Sequence, residues 1–253
     1  MTTATKRLNN RQANELRPYS FERGFIKTAE GSCLVSCGDT RVIVTAKIEP
    51  NVPPHLRDAN PKQGWVTAEY SMLPGSGQDR IRRERNKANS RSLEIQRLIG
   101  RSLRAMVDMK AMPPVTINID ADVIQADGGT RTASITGAYI AVYDALKHLQ
   151  DNGVTIRDKH ITCFQNGLPI MRQIAAISVG MHGGIPLLDL DYPEDSTAEA
   201  DANFILTADG GIIEIQATAE DGVMQYDDFQ EMFKLAQKGV AELTEMQNNT
   251  LQD

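Results

Sequence analysis

Residues 25–48, FIKTAEGSCLVSCGDTRVIVTAKI, hold two β-rich runs on either side of Gly38-Asp39-Thr40, and this pattern predicts a hairpin. Residues 63–73, QGWVTAEYSML, predict a further strand, and 115–124, VTINIDADVI, alternate as a strand does. Between them, 91–112 place Leu93, Ile95, Leu98, Ile99, Leu103, Met106, Val107 and Met109 on one broad apolar face. That spacing predicts a helix, stopped by Pro113-Pro114. A second helix is predicted over 132–150, with Ile135, Ile140, Val142 and Leu146 apolar. After Asp151-Asn152-Gly153, strands are predicted at 174–180, 184–190, 204–207 and 212–219. A final amphipathic helix over 227–246 buries Phe229, Phe233, Leu235, Val240 and Leu243.

Grouped strands followed by helices predict an α+β arrangement of two layers rather than a strict βαβ repeat. The break at 151–153 suggests two parts, residues 1–150 and 151–253. The composition, 41% hydrophobic and 24% charged, excludes a disordered chain. A net charge of −6 argues against a uniformly basic nucleic-acid binder. Three cysteines exclude a disulfide framework and suit a reducing compartment. The polar N-terminus lacks the apolar stretch of a signal peptide, and no run is long enough to cross a bilayer; the expected location is the cytoplasm. His55, His148, His160 and His182 are scattered, with no ligand-spaced pair.

Charge is distributed unevenly. From Arg80 to Arg104 nine arginines and lysines face only Glu84 and Glu94. Two readings fit: a track for a polyanion, because clustered cations bind phosphates by releasing counterions, or a solvated surface. Residues 74–90, PGSGQDRIRRERNKANS, carry the densest part and read as a long loop. Asp127-Gly-Gly-Thr-Arg-Thr132 lies between a predicted strand and a predicted helix. Its glycines let backbone N–H groups approach an anion, the helix start adds unpaired donors, and Arg131 offers a two-pronged fork. The plain alternative is a glycine turn with Thr132 as an ordinary N-cap. The stretch 188–201 holds Asp189, Asp191, Glu194, Asp195, Glu199 and Asp201. It reads either as a solvated acidic loop or as a seat for a hard divalent cation.

Several runs resemble the bacterial ribonuclease PH family. They are Arg23-Gly24, Ala29-Glu-Gly-Ser32, Gly38-Asp-Thr40, Gly64-Trp-Val-Thr-Ala-Glu-Tyr70, EIQRLIGRSLRA (94–105) and QADGGTRTASITGA (125–138), with Glu194-Asp195 and Asp201. Polynucleotide phosphorylase and the exosome core subunits are relatives. The resemblance runs from about Arg17 to the final helix. It departs at Gly75, where an arginine is usual, and over 86–90, where a glycine-bearing run is usual.

The resemblance implies a two-layer α+β fold of two subdomains with mixed sheets packed against helices. The activity it implies is phosphorolytic 3′→5′ exoribonuclease action in transfer and ribosomal RNA processing. It further implies Mg2+ or Mn2+, inorganic phosphate as co-substrate, and a homohexamer built as a trimer of dimers. Carried over by position, phosphate falls on Arg91, Gly129, Thr130 and Arg131. Metal and acid–base chemistry fall on Asp195 and Asp201, and RNA contact or assembly on Arg80 and Arg83. Two rivals remain open at this point: a hydrolytic exonuclease, and a catalytically inactive RNA-binding subunit of an exosome-like ring.

Overall fold

The computed structural model describes residues 7, 10–83, 89–220 and 222–252. The predicted hairpin forms as β2 (Gly31–Cys37) and β3 (Thr40–Glu49), closed by the pairing of Cys37 with Thr40. With β1 (Tyr19–Arg23), β4 (Trp65–Met72) and β5 (Thr116–Gln125) they make a sheet of order β1-β2-β3-β5-β4. Only β4 and β5 run parallel in it, as a connection through a helix allows. That helix is α1 (Ser90–Met106), capped by the Asn89 side chain, which accepts from the Ser92 N–H at 2.8 Å. Its Gln96 and Arg104 side chains donate to the carbonyls of Tyr70 and Val66 along the edge strand β4, so the edge is covered from above.

α1 stops six residues short of the predicted end. Val107 is extended and pairs with Ile170, and the Asp108 side chain accepts from the N–H groups of Lys110 and Ala111. An aspartate that bonds nearby backbone in this way competes with helix continuation. Leu93 also departs from the expectation, since it lies on the open side of α1 and is exposed.

α2 (Thr130–Asn152) is the centre of the molecule. It lies so close to the first sheet that a Cβ on Gly31 would fall 1.9 Å from the Ala141 carbonyl oxygen. Its other side meets β8 (Ile174–His182), where the Thr136 hydroxyl accepts from the Ala176 N–H at 3.1 Å. After α2 comes a small hairpin, β6 (Val154–Ile156) and β7 (Lys159–Ile161), at the predicted break. β9 (Ile185–Leu188), β10 (Ala200–Thr207) and β11 (Ile212–Ala219) join β8 in an antiparallel sheet of order β11-β10-β8-β9. The short α3 (Tyr192–Asp195) separates β9 from β10. α4 (Tyr226–Gln252) packs on the far face of that sheet through Met232, Ala236, Val240 and Leu243. Phe229, Phe233 and Leu235 are only partly buried there.

The α+β class is therefore observed, with a refinement of the layering. The first sheet is covered by helices on one face, as two layers require. The second sheet has helix on both. Ile174 and Ala176 join the core around α2, while Ala175, Ile177 and Val179 join the core under α4, so every residue of β8 from Ile174 to Met181 is buried. Each large aliphatic side chain so buried contributes about 1.5–3 kcal/mol. Gln247 locks the layers by donating to the carbonyls of Thr136 at 2.9 Å and Ile174 at 3.1 Å. Among the described residues no helix is long and apolar enough to cross a membrane.

Candidate active site

β5 delivers the chain into the glycine turn, and its anchors explain its shape. The Thr40 hydroxyl donates to the Gly128 carbonyl at 2.7 Å and accepts from the Asp127 N–H at 2.9 Å. Arg17 Nη1 donates to the Asp127 carbonyl at 2.5 Å. Gly128 and Gly129 both adopt positive φ, +74° and +65°. A Cβ on Gly128 would lie 2.7–2.8 Å from the backbone of Leu190, Asp191 and Tyr192, so only glycine lets the turn lie against the acidic segment. The Tyr192 N–H donates to Asp127 Oδ1 across the same seam.

α2 starts two residues earlier than the pattern predicted. Gly129 is the N-cap, it offers no side-chain cap, and the first helical bond is Ala133 N–H to the Gly129 carbonyl. Thr132, the N-cap of the plain alternative reading, instead lies inside the helix and donates its hydroxyl to the Gly129 carbonyl at 2.9 Å. The N–H groups of the first turn thus have no intrahelical acceptor, and the positive end of a 23-residue helix opens at this point.

The acidic segment divides into two sets. Asp189 is fully buried and ion-paired to Arg17 at 2.7 Å. Glu194 is buried against Arg7, also at 2.7 Å, and forms a capping box with Asp191. Glu199 accepts from the N–H groups of Gly183 and Gly184. These carboxylates are structural, so the stretch is not one solvated loop. Asp195, at the end of α3, and Asp201, near the start of β10, face a cavity of about 770 Å³.

Arg91, Gly129, Thr130, Arg131, Asp195 and Asp201 all line this cavity, from four elements and the turn. Arg131 Nη1 donates to Gln216 at 3.1 Å and Glu94 at 3.3 Å, which fixes the direction of its guanidinium. The Thr130 hydroxyl meets the buried Tyr70 hydroxyl at 2.9 Å. Asp195 is open to the cavity but enclosed by its walls; that enclosure pushes its carboxyl up, Arg131, Arg91 and Arg17 draw it back, and Glu220 adds to the rise. Asp201 is pushed up by its burial, then by Asp195 and Glu220. The cavity therefore has a cationic wall and an anionic one. Among the described residues no three metal-ligating side chains come together.

Arg80 and Arg83 are exposed on the loop and do not line the cavity, although Gln78, Asp79 and Ile81 do. Glu84, Arg85 and Lys87 of the basic band lie outside the described residues. Sequence reasoning missed Asn89, Ser178, Tyr192, Asn203 and Glu220, which also line the cavity. Of these only Glu220 follows a visible signal, the strand that ends at Ala219. It also missed Arg17, whose position under the turn has no local signature.

Comparison with known proteins finds relatives that span nearly the whole chain. The family model described as 3′ exoribonuclease family, domain 1, matches residues 15–147, and domain 2 matches 172–239. Ribonuclease PH of Neisseria meningitidis serogroup C is 51% identical over 244 residues, covering 96% of both chains, and that of serogroup B is equally similar. Among solved structures, an archaeal exosome core superposes with TM-score 0.75 at 20% identity, covering 96% of this chain and 91% of the other. An Archaeoglobus fulgidus exosome with RNA bound to the active site gives TM-score 0.77 at 20% identity over 95% of this chain and 92% of that one. The structures establish the shared fold, the relatives at half identity establish the closer kinship, and the chain belongs to the 3′ exoribonuclease family, in its bacterial ribonuclease PH group.

Proposed function

We propose that the chain shortens RNA from its 3′ end by phosphorolysis. One observation carries this reading: the glycine turn and arginine wall stand across a single cavity from Asp195 and Asp201. An oxygen of inorganic phosphate forms a bond to the phosphorus of the last phosphodiester. The bond from that phosphorus to the preceding 3′ oxygen breaks. The products are a nucleoside diphosphate and an RNA one residue shorter with a free 3′ hydroxyl. Arg91, the Nε–Nη2 edge of Arg131, the Thr130 hydroxyl and the first-turn N–H groups hold the attacking phosphate. No covalent enzyme intermediate is required, so placement and charge stabilisation supply the rate.

The carboxylates fit a divalent cation. Mg2+ takes one or two carboxylates and completes its shell with water and substrate phosphate, and Asp195 and Asp201 repel one another without a counter-charge. Mg2+, or Mn2+, held there would stabilise the charge on the departing 3′ oxygen. The same two carboxyls would manage the proton that oxygen takes up. Incubated with a short RNA, phosphate and Mg2+, the protein is expected to release nucleoside diphosphates, and to stop when phosphate is omitted. Nucleoside monophosphates, or undiminished shortening without phosphate, would establish the hydrolytic rival instead. The inactive-subunit rival is disfavoured, because the chain carries both walls of the site and its half-identical relatives are named as the enzyme.

The finer parts of the proposal are the 3′ ends of transfer RNA precursors as substrate, the cytoplasm as location and a homohexamer as the assembly. Arg80 and Arg83, exposed on the loop whose Gln78, Asp79 and Ile81 line the cavity, serve RNA contact or assembly. The division into residues 1–150 with the phosphate turn and 151–253 with the carboxylates is supported by the two family domains and by one large sheet from each half. Light scattering is expected to give six times the 27.9 kDa chain mass; a monomer at working concentration would overturn the assembly.

A further inference from the structure

Tyr192 is the aromatic side chain among the described residues that line the cavity, and it is 49% exposed. A single exposed aromatic on a surface is ordinary. This one differs in how its backbone is held. It opens α3, where the Asp191–Glu194 capping box closes the helix, and Glu194 is clamped by Arg7 and Arg11. Its N–H is bound to Asp127, and Gly128 packs on its nitrogen at what would be 2.8 Å for a Cβ. Pro193 follows. Yet its ring takes part in neither apolar core. The fold fixes the main chain of an aromatic residue at a reaction cavity and leaves the ring half-exposed, outside both apolar cores.

A flat ring with two rotatable bonds, on a rigid mount between the phosphate turn and Asp195, suits a nucleobase. We propose that Tyr192 is a stacking platform for a base at the RNA 3′ end. This rests on the reading that RNA ends in this cavity. Stacking uses the π-face that every base presents, so it positions the last linkage with little regard to sequence. Such tolerance is what an enzyme removing one nucleotide after another requires. Met72 and Ile81 supply further apolar surface in the same cavity.

The test uses the full chain and an RNA with 2-aminopurine as its 3′-terminal base, without phosphate or divalent ion. Binding is expected to quench the fluorophore. Tyr192→Ala should abolish the quench and weaken binding about thirtyfold, the middle of the range for one stacked base. Tyr192→Phe and Tyr192→Trp should retain both. An RNA abasic at that terminus should bind wild type and Tyr192→Ala equally. Thermal midpoint and KM for phosphate should not move, as they would if the ring merely supported α3. Equal quenching and affinity in Tyr192→Ala, or an equal loss with the abasic RNA, would overturn the proposal. Nucleoside diphosphate release by the wild type is scored separately, so a failure of the phosphorolysis reading is distinguished from a failure of this one.

Discussion

Asp195→Asn is expected to lower the rate of nucleoside diphosphate release by about 10²–10³-fold, the range seen when one preorganised charge-stabilising group is removed. The substitution keeps the size of the side chain and removes only its charge. The mount should survive, because α3 is held by the capping box and by Arg7, and the Asp195 N–H reaches the Asp191 carbonyl at 2.9 Å through backbone alone. RNA binding should be unchanged or slightly tighter, since a negative charge is withdrawn from beside a polyanion. KM for phosphate should move little, because Arg91, Arg131 and the helix start stand on the opposite wall. The effect thus falls on kcat, which marks an interaction made in the transition state rather than in the bound substrate. Steady-state assays with varied RNA and varied phosphate separate these terms, and an unaltered thermal midpoint excludes misfolding. Unchanged turnover would remove Asp195 from the reaction; absence of turnover in the wild type itself is what would restore the inactive ring subunit as the better reading.

The same wall shows how far sequence pattern reaches. The glycine turn could be read because its chemistry is local: glycines, hydroxyls and an arginine within a few residues of a strand end and a helix start. The acidic stretch could not be resolved, because its six carboxylates look alike in sequence and are sorted only by what packs on them. Asp189 and Glu194 go to structure because Arg17 and Arg7 arrive from 172 and 187 residues away. Nothing in the polar N-terminal run marks those arginines as buried, yet Arg7, Arg11 and Arg17 are 4%, 9% and 4% exposed.

The secondary structure divides along the same line. β2–β3, β4 and β5 follow apolar alternation closely, since one face of that sheet is buried. β1 is a five-residue edge strand with no fully buried position, too weak a pattern to see. The β6–β7 turn is made by Arg157 and Asp158 at positive φ, where the usual glycine signal is missing. The end of α1 is set by Asp108 and by the pairing of Val107 with Ile170, the second of which is a tertiary fact. Apolar spacing continued past Met106 because Val107 and Met112 are still core residues, only on non-helical backbone.

Asp189→Asn should produce the largest loss of stability of any conservative change at the site, about 3 kcal/mol at neutral pH. Asp189 is 0% exposed and holds Arg17, 4% exposed, through Oδ1 at 2.7 Å and Oδ2 at 3.1 Å, and accepts the Arg17 N–H at 2.8 Å. Burial alone would push the Asp189 carboxyl up; the charge of Arg17 and the hydrogen bonds it donates outweigh that and hold the carboxyl below its ordinary range. Asparagine keeps one acceptor but leaves a buried guanidinium without a counter-charge. In a chain of this length the thermal midpoint should fall by about 10 °C.

The sign of the pH dependence follows from the lowered carboxyl. Its contribution is fully present above the unfolded aspartate value of about 3.9 and is lost as pH falls through the lower folded value. The gap between wild type and variant is therefore widest near neutrality and closes below about pH 4. Activity separates the two duties of Arg17. Replacing the pair together, Arg17→Met with Asp189→Asn, should recover much of the stability, because the stranded cation is removed and asparagine still suits the left-handed backbone of Asp189 at φ +58°. It should not recover phosphorolysis, because the bond from Arg17 Nη1 to the Asp127 carbonyl is lost and the glycine turn is no longer braced from below. Denaturant midpoints at several pH values, with turnover measured on the same samples, decide the matter. An Asp189→Asn variant within about 1 kcal/mol of wild type at neutral pH would show that this buried pair contributes little, against the usual cost of stranding one buried charge.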